Sequence, residues 1–426
     1  MAKAGDRVKV ITKEESFEGI LMPRPELLGK GITVLKLDNG YNIGIKDDKI
    51  NSIRVVKAYK AEKAEKKKLK FDEKLPTVTI LSLGGTISSR VDYKTGGVHA
   101  DYTAEDFVAM CPELEKVANI KAKQVMSTMS EDITADEWKI IAKEAADELR
   151  KVDGVVITMG TDTLHFAAAA LSFFLKDLNK PVVFTAAQRS IDRGSSDAFM
   201  NLICSVTAAA KSNIAEVMSC LHGTSNDDYC LLIRGTKVRK MHTSRRDAFR
   251  PINELPIAKV FPEGKIEILN KKYKRTKEGA VKIDASFEEK VALIQVYPGM
   301  DEDIIDYFIK KNYKGIVLAA TALGHVPTTK NSLMPNIKKA IDKGIAVVIA
   351  SQTLYGRTHP YVYTNLRKLS IQLGCIFAED MLPEVAYIKL GYILSKAKNK
   401  DEVRQMMLEN IAGEITKRIL PKSFLY

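Results

Sequence analysis

Two stretches bring a threonine hydroxyl beside glycine directly after an apolar run. Gly84-Gly85-Thr86-Ile87-Ser88-Ser89-Arg90 follows Thr77–Leu83, and Met159-Gly160-Thr161-Asp162-Thr163-Leu164 follows Gly154–Thr158. An alcohol is a poor nucleophile unless an adjacent base activates it, and that base needs an orienting partner. Paired glycines permit positive φ and close backbone approach, so Thr86 could stand beside amides able to hold an oxyanion. A tight turn in which Thr86 caps its own backbone fits the same residues. In the second stretch Asp162 could orient a lysine base from elsewhere in the chain, or Thr161 or Asp162 could N-cap a helix beginning near Thr163. Lysines suited to the role lie in Arg234-Gly235-Thr236-Lys237-Val238-Arg239-Lys240-Met241-His242-Thr243, after the apolar run Tyr229–Ile233. Burial near another cation such as Arg239 disfavours a charged amine and makes it a usable base. A solvated surface loop is the ordinary alternative for such a segment.

Other catalytic templates fit poorly. There is no Gly-x-Ser-x-Gly elbow and no His-Glu-x-x-His, and no Gly-Lys-Ser/Thr ending turns the first glycine pair into a phosphate loop. The six histidines, His99, His165, His222, His242, His325 and His359, are scattered, so no metal is expected. Five widely spaced cysteines, Cys111, Cys204, Cys220, Cys230 and Cys375, contain no Cys-x-x-Cys pair and read as reduced and mostly buried.

The elements that must carry these residues follow from the apolar pattern. Residues 1–56 alternate in short runs, with a hairpin signature at Asp38-Asn39-Gly40, and read as a small β-barrel module. Residues 57–75, dominated by lysine, alanine and glutamate, read as a linker. From Pro76 onward apolar β-rich runs alternate with helical stretches, which predicts an α/β body of parallel strands joined by crossover helices. Candidate strands are Thr77–Leu83, Gly154–Thr158, Pro181–Thr185, Tyr229–Ile233, Val291–Val296, Gly315–Ala319 and Ile345–Ala350. Within 134–150, Trp138, Ile141, Ala142, Ala145 and Leu149 recur at helical spacing behind a Thr134/Glu137 capping box. The Lys-, Glu- and Gly-rich stretch 259–289 separates the body into units at 76–270 and 290–426. In such sheets the functional crevice lies beyond the carboxyl ends of the strands, where both threonine motifs fall.

At 426 residues, 45% hydrophobic and 28% charged, the chain has enough apolar surface for sizeable cores and is not a disordered protein. No apolar run of about 18 residues and no signal-peptide core are found, so a cytoplasmic protein without membrane contact is expected. The formal charge of +13 is compatible with a polyanionic partner or with nothing more than a lysine-rich surface.

Five landmarks in order extend over roughly residues 77–420: Leu83-Gly84-Gly85-Thr86-Ile87, Ser130-Glu131-Asp132, Gly160-Thr161-Asp162-Thr163, Val238-Arg239-Lys240 and Asp380-Met381-Leu382-Pro383-Glu384. In these the chain resembles the asparaginase/glutaminase family of threonine amidohydrolases. The resemblance implies an asparaginase-like two-domain parallel-sheet body. It makes Thr86 one nucleophile candidate and Thr161, Asp162 and Lys240 a second hydroxyl–carboxylate–amine set, and it leaves open which threonine attacks. By the same resemblance Ser130 and Glu131 hold the α-carboxylate and α-amino ends of the substrate, Asp162 also faces the α-ammonium, and the loop with Tyr93 and Gly96-Gly97 is a mobile lid. Met159 stands where many relatives have histidine, and Glu131 where some have glutamine.

The β module and lysine-rich linker are additions to that body. Together with it they resemble the D-subunit family of archaeal glutamyl-tRNA(Gln) amidotransferases. The implied activity is ammonia release from glutamine, or asparagine, for a partner E subunit that amidates Glu-tRNA(Gln). The implied assembly is a homodimer joined by two copies of the partner, which would take ATP, Mg2+ and most tRNA contact while this chain binds no cofactor. A free-standing cytoplasmic L-asparaginase and an inactive RNA- or protein-binding scaffold are the competing expectations.

Overall fold

A computed structural model describes residues 2–22, 31–38, 42–59, 71–84, 90–91, 98–99, 106, 108, 111–189, 191 and 195–426. The N-terminal module is an antiparallel sheet of β1 (Arg7–Thr12), β2 (Ser16–Met22), β3 (Ile32–Lys36), β4 (Asn42–Lys46) and β5 (Ile50–Lys57), ordered β4-β3-β2-β1-β5. Alternation puts Val8, Val10, Leu35 and Ile45 on one face as its small core. The anticipated hairpin joins β3 to β4 with Lys36 opposite Asn42, while Asn39 and Gly40 lie outside the described residues.

The body begins with β6 (Thr77–Ser82). Two-residue strands β7 (Arg90–Val91) and β8 (Val98–His99) pair antiparallel, and β9 (Asn119–Gln124) returns beside β6 in parallel. Helix α1 (Ala135–Leu149) leads to β10 (Gly154–Thr158), α2 (Leu164–Phe174) to β11 (Leu175–Lys176) and β12 (Val182–Thr185), and α3 (Ala198–Lys211) to β13 (Val217–His222). The Glu137 carboxylate accepts from the Thr134 hydroxyl and backbone N–H at 2.6 and 2.7 Å, closing the expected capping box of α1.

Strands β9, β6, β10, β12 and β13 are parallel, as the βα alternation predicts. The sheet then departs from expectation. Strand β14 (Cys230–Arg234) reaches β13 through a short connection without a helix, so it can only run antiparallel. Off this sheet lie β15 (Val238–Lys240) and β16 (Phe249–Pro251), which pair with each other. Strands β17 (Ala258–Val260) and β18 (Ile266–Ile268) extend the main sheet to eight strands. The stretch read as a separator thus contains β18 and β19 (Lys282–Ile283), which pairs with β11.

The C-terminal unit is a parallel sheet of β20 (Val291–Gln295), β21 (Gly315–Ala320), β22 (Ala346–Ser351) and β23 (Ile376–Phe377). Its helices are α4 (Asp303–Lys310), α5 (Met334–Asp342), the short α6 (Thr364–Arg367), α7 (Pro383–Leu394) and α8 (Lys400–Leu408). Helix α7 packs on α2 of the first unit, and the Phe173 and Tyr392 rings stack there at 6.0 Å. One apolar core therefore runs through both units. This brings Glu384, in the first turn of α7, within 3.9 Å of His165 in the first turn of α2.

Candidate functional site

Strand β10 ends at Thr158, and Met159 turns into the core. The next residue must be glycine: a Cβ at Gly160 would lie 2.8 Å from the Ser130 Oγ and 2.9 Å from its Cβ. The chain can therefore pass against the 3-10 turn Ser130–Asp132 and present Thr161 and Asp162 before α2 begins. The Thr163 hydroxyl ties the two segments by donating to the Ser130 carbonyl.

Lys240 enters from β15. Its ammonium donates to Thr161 Oγ1 at 2.8 Å and to Asp162 Oδ1 at 2.6 Å, and Thr161 Oγ1 donates to Asp162 Oδ1 at 3.2 Å. The lysine side chain is 10% exposed and the aspartate 64%, so the amine is enclosed while the carboxylate faces the open side. The hydrogen bond from Lys240 holds the Asp162 carboxyl below the usual carboxylate range, against its desolvation. A hydroxyl, an amine and an ionised carboxylate in mutual reach are the groups that activation of a hydroxyl nucleophile requires.

Ser130 is buried beside Gly160 and its hydroxyl donates to Glu131 Oε2 at 3.4 Å, while Glu131 itself is exposed. The two residues expected to grip the ends of a substrate thus share one turn next to the threonine motif. Thr86, Tyr93 and Gly96-Gly97 lie outside the described residues. The chain leads toward Thr86 through Gly84 at φ 97°, where the backbone passes Thr128, and the Leu83 N–H donates to the Thr158 carbonyl at 2.9 Å. That hydrogen bond holds the end of β6 beside the end of β10. Among the described residues no group of three or more His, Cys, Asp or Glu could hold a metal ion.

Sequence reasoning missed the layer behind the triangle. Arg239 donates to Glu384 Oε2 at 2.6 Å, and His165 Nε2 lies 3.9 Å from Glu384 Oε1. Burial pushes the Glu384 carboxyl up, opposed by Arg239. Burial, with the charges of Arg239 and Lys240 nearby, pushes the His165 imidazole down to about 3. Beside this layer, Lys237 and Asp380 form a buried ion pair at 2.7 Å. A signal existed: cations stand two apart at 237 and 239, and acids at 380 and 384 bracket the Pro383 that starts a helix. Their pairing has no local signature.

The Asparaginase, N-terminal family model matches residues 77–274, the Glutaminase/Asparaginase C-terminal domain residues 290–407, and the GatD N-terminal domain residues 2–56. The chain is 51% identical to the D subunit of the glutamyl-tRNA(Gln) amidotransferase of Pyrococcus furiosus, with 99% of this chain and 97% of that protein covered. It is 44% identical to the same-named protein of Methanothermobacter thermautotrophicus over 97% of this chain and 94% of that protein. Among solved structures, the thermostable L-asparaginase from Thermococcus kodakarensis matches with a TM-score of 0.72 at 28% identity, covering 80% of this chain and 100% of that one. L-asparaginase I from Vibrio cholerae matches at a TM-score of 0.70, also at 28% identity, over 80% of this chain and 99% of that one.

Proposed function

Because the chain belongs to the family of glutamyl-tRNA(Gln) amidotransferase D subunits, we propose that it releases ammonia from glutamine, or from asparagine, for a partner protein that converts Glu-tRNA(Gln) to Gln-tRNA(Gln). The observation that carries this reading is the enclosed Lys240 amine within hydrogen-bond reach of both Thr161 and Asp162. In its uncharged form the amine takes the proton of Thr161 Oγ directly, and Asp162 stabilises the ammonium that results.

A threonine oxygen, from Thr86 or Thr161, attacks the side-chain amide carbon, and backbone amides stabilise the oxyanion. The C–N bond then breaks, with a proton returned to the nitrogen, and ammonia leaves an acyl-enzyme ester. Water hydrolyses the ester, releasing the acidic amino acid and restoring the hydroxyl. Ser130 and Glu131 hold the α-carboxylate and α-ammonium ends, and Tyr93 belongs to the lid that excludes bulk water.

The partner is the amidotransferase E subunit, which uses ATP and Mg2+ to activate the glutamyl group and carries most tRNA contact. This chain binds no cofactor of its own. The assembly is a homodimer of this chain joined by two copies of the partner, in the cytoplasm; among the described residues no helix is long and apolar enough to cross a membrane.

An ammonia assay with glutamine and with asparagine, run with and without the partner and Glu-tRNA(Gln), tests this. Glutamine turnover should rise when both are added. Unchanged glutamine turnover together with rapid asparagine hydrolysis by the chain alone would favour the free-standing asparaginase, the reading that the two solved asparaginases support.

A further inference from the structure

Strand β15 has only three residues and pairs only with β16 in the described ladders, so the long sheets do not hold it. Yet it must present Lys240 to Thr161 and Asp162 at hydrogen-bond distance. Val238 anchors it in the apolar core. On the alternate positions, Lys237 and Arg239 reach the segment Asp380–Glu384, to Asp380 Oδ2 at 2.7 Å and Glu384 Oε2 at 2.6 Å.

That segment is itself fixed. Asp380 Oδ1 accepts from the Thr416 N–H at 2.8 Å, and the Asp380 carbonyl accepts from Asn253 Nδ2 at 3.1 Å. Pro383 starts α7, with Glu384 in its first turn, where the helix dipole favours a carboxylate.

The second Glu384 oxygen, Oε1, has no hydrogen-bond partner although it is buried, and neither has His165 Nδ1. His165 stands in the first turn of α2, three positions after Asp162, with its Nε2 facing Glu384 Oε1. One carboxylate therefore lies between the strand carrying Lys240 and the turn carrying Thr161 and Asp162. Buried polar atoms left unpaired cost stability, so two of them, on side chains that face each other beside the candidate site, call for an explanation.

We propose that Glu384 is a positioning residue that, through its ion pair with Arg239, keeps Lys240 aligned with Thr161 and Asp162. The C-terminal unit thereby acts on the active site of its own chain. This rests on reading Lys240 as the base. Misplacing a reacting group by about 1 Å can cost roughly a hundredfold in rate with little change in substrate binding.

The test uses the complete enzyme with partner and Glu-tRNA(Gln), measuring glutamine kinetics and thermal midpoint for Glu384→Gln, Arg239→Met and Arg239→Lys. Arg239, partly exposed, gives a second route should Glu384→Gln fail to fold. The first two variants should lower kcat at least about tenfold with KM within about threefold, and Arg239→Lys should recover part of the loss. A lowered midpoint with kcat intact, or equal losses for Arg239→Lys and Arg239→Met, would overturn the proposal. Lys240→Ala serves as the control: retained turnover there would refute the base assignment itself, a result separate from any effect at Glu384.

Discussion

Lys240 and Thr161 lie 79 residues apart in the chain, yet Lys240 Nζ sits 2.8 Å from Thr161 Oγ1. The same ammonium donates to Asp162 Oδ1, which also accepts from the Thr161 hydroxyl, so both neighbours of the hydroxyl are groups that can manage its proton. Thr161→Val keeps the shape and removes the oxygen, and Lys240→Met keeps the stem and removes the amine. Each should reduce ammonia release by about a hundredfold or more, the range for a lost acid–base partner. A continuous ammonia assay checks this, and wild-type rates in either variant would sink the assignment.

Gly160 carries no side chain because Ser130 occupies the space. The Cβ of Gly160→Ala would meet Ser130 Oγ at 2.8 Å, forcing the turn that holds Ser130 and Glu131 away from Thr161. The expected result is a raised KM for glutamine with a loss of about 1–3 kcal/mol of stability from overpacking. Unchanged KM in steady-state kinetics would show that this turn does not touch substrate.

His165 makes the stability of the fold depend on pH. Its folded value of about 3 lies below the ordinary 6.5, so in the window between the two the unfolded chain binds a proton that the folded chain refuses. Stability from this group is complete above 6.5 and is lost as pH falls toward about 3, at up to about 1.4 kcal/mol per pH unit. Denaturant titrations of wild type and His165→Asn across that window should show a shallower pH slope in the variant; parallel slopes would contradict the buried neutral imidazole.

Away from the site, Lys389 and Glu414 form an ion pair at 2.6 Å in which both side chains are fully buried. Glu414 also accepts from the backbone N–H groups of Ile411 and Ala412. Removing the cation with Lys389→Met strands the carboxylate, so about 3–5 kcal/mol of stability should be lost. Adding Glu414→Gln should recover part of it, since the uncompensated charge goes too. Chemical denaturation of both variants measures the difference, and a double variant less stable than the single would count against this account.

Where helix and strand follow from local pattern, the sequence was legible. Helix α1 is readable from apolar spacing and its Thr134/Glu137 box, and β10 from an unbroken apolar run, because these depend on residues a few positions apart. Strand β9 escaped because Lys121 and Lys123 interrupt it; as the edge of its sheet it pairs on one side only and tolerates them. Strand β13 escaped because Ser219 and His222 break its apolar run, although all of it is buried. The reversal at β14 was hidden for a different reason: parallel and antiparallel strands share one hydrophobic signature when both faces are covered.

The site divides along the same line. The Gly160-Thr161-Asp162 turn and its place at a strand end are properties of adjacent residues, and the sequence by itself determined them. Landmarks shared with relatives also marked Lys240 as a candidate, and its amine reaches Thr161 and Asp162. What only the tertiary structure decided is which side chains stand behind these. Arg239 meets Glu384 across 145 residues, and His165, read as a scattered structural histidine, closes on the same carboxylate. Contacts at such separation, the Arg239–Glu384 ion pair and the approach of the neutral His165 ring alike, leave no periodicity and no turn chemistry in the chain. They exist only once α7 has packed on α2 and excluded water from the space between them.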